Sequence, residues 1–162
     1  MSAVRRLEAY TVNESAIHAV MAEARNCALT MLENATYIQS ELANVRINDA
    51  LRAETQQLCS AFVGTKHDII SELFELDELL SSEATASVIR SRVNRIMQLF
   101  QNDITRMHQL VMALESASKQ DPAYALAYVL VAESATNILN AFNRTRAVAD
   151  SLHAEAEENR RT

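Results

Sequence analysis

The 162-residue sequence has one glycine, one proline and no tryptophan. Average chains carry roughly 12% of glycine plus proline. So little punctuation excludes folds made of short strands and tight turns, whose corners need those two residues. It also excludes the glycine-rich loops that cradle phosphates. Two cysteines, Cys27 and Cys59, are too few for a disulfide framework, and the expectation is a pair of reduced, half-buried thiols. The lysines are only Lys66 and Lys119. Beyond Arg5-Arg6 and Arg160-Arg161 no basic cluster occurs, and the net charge is −6. Nucleic acid is therefore not an expected partner. No apolar run follows Arg5-Arg6, so no signal peptide is expected. The longest apolar run is the ten residues 123–132, about half of what a bilayer span needs. The chain is thus expected to be cytoplasmic, with no membrane span.

What is present is helix-forming: Ala, Leu, Glu, Arg and Asn dominate, in heptad patterns. The expected fold is a single all-α domain over 1–162, an elongated and mainly antiparallel bundle of about four long helices at roughly 3–46, 49–80, 83–117 and 122–156. The first seam runs Ala3, Leu7, Tyr10, Ile17, Met21, Ala24, Ala28, Met31, Ala35, Ile38, Leu42, Val45. The second, from Leu51 through Leu58, Phe62, Ile69 and Leu76 to Leu80, is out of phase with it. Two places could hold the break between them. A turn near Asn48 gives four rods of similar length. Gly64 could instead end a longer first helix, with Thr65 capping the next. The Asn48 turn is the preferred reading. Ser81 or Ser82 can cap the third helix, whose seam is Ile89, Val93, Ile96, Phe100, Ile104, Met107, Val111, Leu114, flanked by Asp103 and His108. A polar link at 116–120 follows, and the charged residues after Leu152 read as a fraying end.

The fourth helix is the hub. Asp121 is a good N-cap, and Pro122 falls at the first helical position, where its missing N–H costs nothing. Behind it Tyr124, Val131, Ile138, Thr145 and Leu152 repeat in sevens, interleaved with Tyr128, Ala135, Phe142 and Ala149. Residues 123–132 are apolar on every side, and a helix apolar all round must be buried all round. Tyr124, Leu126, Tyr128, Leu130, Val131, Ala135, Ile138 and Phe142 are therefore the expected helix–helix interaction residues, and a charge at Leu130 is expected to disperse an assembly. The polar residues Glu133, Thr136, Asn137, Asn140 and Asn143 read as an exposed face, or as seam residues that fix register.

No constellation points to catalysis. The histidines are His18, His67, His108 and His153, and none has a Glu three residues before it, the spacing of metal-binding bundles. Asp68 beside His67 reads as cap chemistry. The chain is expected not to be an enzyme and to need no metal or cofactor.

The run Pro122-Ala123-x-Ala125-Leu126, then Ala132, then Asn143-x-Thr145-x-Ala147, resembles the killing-trait family, the structural subunits of refractile bodies (R-bodies), which are coiled protein ribbons. The family's Gly after the Ala run is absent here, and Arg146-Ala-Val-Ala149 stands where its Gln-rich stretch lies. The resemblance implies a non-enzymatic subunit that polymerises into a ribbon extended by acid, with histidines and Glu133 as candidate proton sensors. The leading expectation is a structural or assembly protein acting through self-association, its partner itself or another helical protein. The alternative is a helical binding module (chaperone, adaptor or sensor) whose groove takes a partner helix or small ligand, and a mobile hairpin exposing Met31, Met107, Tyr124 and Tyr128 would suit it.

Overall fold

A computed structural model describes residues 13–82 and 84–161, with side chains as far as Ala154. Local chemistry explains where each helix starts. Asn13 is extended (φ −64°, ψ 114°), and its Oδ1 accepts from the backbone of Ser15 (2.9 Å) and Ala16 (3.4 Å). Helix α1, Glu14–Glu41, begins there. The single rod expected from residue 3 is therefore interrupted at Asn13, and residues 3–12 lie outside the described part. A short 3-10 turn, Leu42–Asn44, ends α1. Its free carbonyls are taken up by Arg52, which donates to Leu42 O (2.8 Å) and Val45 O (3.4 Å).

Asn48 then caps α2, Asp49–Ser81, accepting from Leu51 N at 2.8 Å. The break thus falls near Asn48, and Gly64 lies inside α2 on its exposed side. A Cβ added at Gly64 would meet nothing within 4 Å. Gly64→Ala should therefore stabilise the protein by about 0.5–1 kcal/mol, because alanine loses less backbone freedom in a helix. A thermal melt that falls rather than rises would refute this.

The serines expected to cap the third helix serve the second one instead. Ser81 Oγ donates to Asp77 O and Ser82 Oγ to Leu79 O, both at 3.2 Å. Helix α3, Ala86–Gln120, is capped by Thr85, whose hydroxyl accepts from Val88 N at 3.4 Å. The expected link at 116–120 is helical, held by a Lys119–Glu115 ion pair of 3.2 Å. Only Asp121 and the 3-10 turn Pro122–Tyr124 separate α3 from α4, Ala125–Arg161. Asp121 accepts from Ala123 N at 3.0 Å, as its place before Pro122 predicts. The charged tail stays helical through Arg161.

Among the described residues there are four long helices, of 28, 33, 35 and 37 residues, or about 42–55 Å each. Each packs on two neighbours, in the cycle α1–α2–α3–α4–α1. Short links make successive helices antiparallel. The heptad seams fill the middle: Ile17, Ala24, Ala28, Met31, Ile38; Leu58, Phe62, Ile69, Leu76; Ile96, Phe100, Met107, Leu114; and Ile138 are all at most 1% exposed. Phe100 and Phe142 meet edge to face, centroids 6.3 Å apart.

Polar side chains fasten each seam. Between α2 and α3, buried Glu72 receives Arg92 (3.3 Å) and Arg95, so its charge is matched by two guanidiniums. Between α1 and α4, Asn137 Nδ2 donates to buried Asn34 Oδ1 at 3.3 Å. Thr145, with no exposed surface, lies within reach of Glu23 O (3.0 Å) and Ala141 O (2.9 Å). Both cysteines are fully buried and free rather than half-buried. Burial pushes Cys27 up to about 12, against a lowering by the Thr145 hydroxyl, and pushes Cys59 up to about 11. Thiolate is the reactive form. Both thiols should therefore react with an aromatic disulfide reagent at pH 8 at least about 100-fold more slowly in the native protein than in denaturant. Prompt native labelling would show that the core opens.

Candidate functional site

Helix α4 presents two faces. Its heptad seam turns inward: Val131, Ala135, Ile138, Phe142, Thr145, Ala149 and Leu152 are buried. Tyr124 and Tyr128 are half-buried at the start of that seam. The expectation of an all-round buried segment is corrected here. In 123–132, Ala127, Leu130 and Val131 are enclosed by the chain's own helices, while Ala123, Ala125, Leu126 and Val129 face solvent. Leu126 is 67% exposed and Val129 45%. The physical reason is simple. A helix at the edge of a four-membered ring has two neighbours, and two neighbours cover little more than half of its circumference.

Of the eight residues expected to make helix–helix contacts, five (Leu130, Val131, Ala135, Ile138, Phe142) form the bundle's own core, and Leu126 alone is open. Val129 was not among them. Its spacing of seven from Pro122 could have found it, as the second of two seams on one helix. The ladder between α1 and α4 brings another exposed apolar residue near. Counting three residues from the Asn34–Asn137 pair, Tyr37 comes about level with Ser134, a little over one turn from Val129. Tyr37 is 50% exposed. Further along the outward side, Glu133, Thr136, Asn137, Asn140 and Asn143 are exposed, the face reading of these residues. Asn137 alone reaches inward, to Asn34.

Met31 and Met107 are 0% and 1% exposed inside the core, so the alternative groove requires a hairpin to swing away from the bundle. Met112, by contrast, is 65% exposed on α3. Among the described residues no group of three or more His, Cys, Asp or Glu side chains could hold a metal ion. His18, His67 and His108 are exposed and His153 is half-buried. Asp68 and His67 both point to solvent, away from any cap, since the α2 cap is Asn48.

By length and composition alone, the segment Pro122–Ala154 could cross a membrane, with a window of mean hydropathy 1.3 that is 39% buried. No family model matches the chain, and neither a curated protein nor a solved structure does.

Proposed function

We propose that the chain is a non-enzymatic structural or assembly protein that works by helix–helix self-association, with the outward face at the start of α4 as its contact surface. The observation that carries this reading is the pair Leu126 and Val129, exposed on a helix whose opposite face is fixed in the core. An exposed leucine alone needs no explanation. Ala125, Leu126 and Val129 are exposed apolar positions within two turns at the start of α4, and clustered apolar surface marks interaction sites. The patch is rigid, because Ala127, Leu130 and Val131 hold the same turns from behind. Little conformational entropy is then lost on binding.

An R-body-like polymer subunit is the specific form of this reading. It rests on the resemblance of Pro122-Ala123-x-Ala125-Leu126 and Asn143-x-Thr145-x-Ala147, and it requires a second contact surface, because one patch paired with itself closes as a dimer. Size-exclusion chromatography with light scattering at tens of micromolar tests the general reading, and electron microscopy at pH 5 and pH 7.5 tests the ribbon. A concentration-dependent oligomer supports self-association. A monodisperse monomer removes it, and an oligomer without ribbons at either pH removes only the polymer form.

A further inference from the structure

A concave site lies on the other half of α4, away from the Leu126 patch. Residues of α3 and α4 line a groove of about 310 Å³, at the low end of the range for small-ligand pockets, ~300–1,000 Å³. Its apolar floor is Met97, Phe142 and Ala149. The Arg146 guanidinium stands over the Phe142 ring, 5.6 Å from its centroid, so a cation–π contact holds a flat group in the wall. Three carboxamides, Asn94, Gln98 and Gln101, line the α3 side. Gln98 and Gln101 each spend one donor on the next turn, at Asn102 (2.9 Å) and Thr105 (3.3 Å). Their carbonyl oxygens and second N–H groups remain available.

Two further groups set the electrostatics. The lining holds one cation, Arg146, and one anion, Asp150, and the Arg90 charge also reaches its His153 end. His153 has a buried Nε2 with no hydrogen-bond partner among the described residues. Burial and the Arg90 charge lower its pKa, against Asp150, which favours the uncharged ring.

We propose that this groove binds a small, planar, uncharged heteroaromatic ligand of the nucleobase class, stacked against Arg146 and read along its edge by Gln98 and Gln101. Carboxamides suit such an edge because each presents a donor beside an acceptor at the spacing of a purine's polar edge. A guanidinium plane accepts stacking by any flat ring. A carboxylate ligand would meet Asp150, and a purely aliphatic one would leave the amides unpaired, a cost that makes such sites selective.

The test is titration of the labelled protein followed by amide chemical shifts, using adenine and hypoxanthine as probes. Indole has the bicyclic outline without the paired edge, and benzoate carries the charge. Saturable shifts confined to residues 94–101 and 142–153 are expected with at least one purine. Indole and benzoate should bind at least five-fold more weakly. Arg146→Ala and Gln98→Ala should each weaken purine binding at least five-fold while leaving shifts elsewhere unchanged. Absence of saturation with both purines up to their solubility, shifts centred elsewhere, or tighter binding of benzoate would overturn the proposal. The wild-type series alone decides if a variant misfolds.

Discussion

Under the proposed self-association, Leu126→Glu is expected to yield monomers while leaving the melting temperature within a few degrees of the monomeric baseline. The side chain is 67% exposed, and surface substitutions of this kind change stability by about 0.5 kcal/mol or less. In an assembly the same carboxylate would be buried against an apolar partner surface without a counter-charge, which is costly enough to abolish the contact. Leu130→Glu should behave in the opposite way. Leu130 is 7% exposed and packs inside the chain's own bundle. An uncompensated charge there costs roughly 3–5 kcal/mol, so this variant should lose helical cooperativity before any question of assembly arises. Light scattering and a thermal melt on both variants separate the effects. Persistence of the oligomer in Leu126→Glu, with Val129→Glu equally silent, would place the contact elsewhere.

The second large effect concerns Asp103. It lies on α3 facing α2, 8% exposed, with Oδ2 lacking a partner among the described residues. Burial raises its pKa, opposed by the Thr65 hydroxyl that donates to it and by Arg106, and supported by the Asp68 charge. Arg106 itself donates to Gln57 at 3.2 Å and makes no direct ion pair with Asp103. A carboxylic acid whose pKa is higher folded than unfolded holds its proton more tightly when folded. Its contribution to stability is therefore fully present below the ordinary Asp value, about 3.9, and is lost as pH rises through the raised folded value. Asp103→Asn keeps the shape and removes the charge. It should stabilise the protein by about 1–2 kcal/mol at pH 7, with the gain over wild type vanishing near pH 4. Urea denaturation at both pH values measures it. A loss of stability at pH 7 would mean that the ionised carboxylate is the well-satisfied form.

Much of the fold is legible in the residue order, and the reasons differ by element. The α4 seam is readable because Val131, Ile138, Thr145 and Leu152 recur in sevens, and all are buried. The Asn48 break shows as a slip in phase between Leu42 and Leu51. Gly64 misleads as a rival break because an exposed interior glycine only weakens a helix that long. Ser81 and Ser82 mislead because a hydroxyl can serve the helix before it as well as the one after it. Asp103 reads as a flank since its neighbour Ile104 carries the seam, yet the wide interface with α2 covers both. The partners of Thr145 and Asn137 lie on α1, more than 100 residues away, and no local pattern reports them. The groove beside Arg146 escapes for the same reason. It is lined from two helices whose contributions lie more than 40 residues apart in the chain. Residues 123–132 show the limit most plainly, because composition tells how oily a cylinder is and not how many neighbours it will have.

The cyclic order of the helices also sets a sequence of events. Contacts of α1 with α2, α2 with α3 and α3 with α4 join consecutive pieces, whereas Asn34 must find Asn137 across 103 positions. Such remote pairings pay the largest loop-closure entropy and form late. A nascent chain released from the ribosome therefore completes its ring last at the α1–α4 edge, and until then the row Val131, Ile138 and Leu152 is uncovered on one flank. That strip is then the last part of the core to leave water.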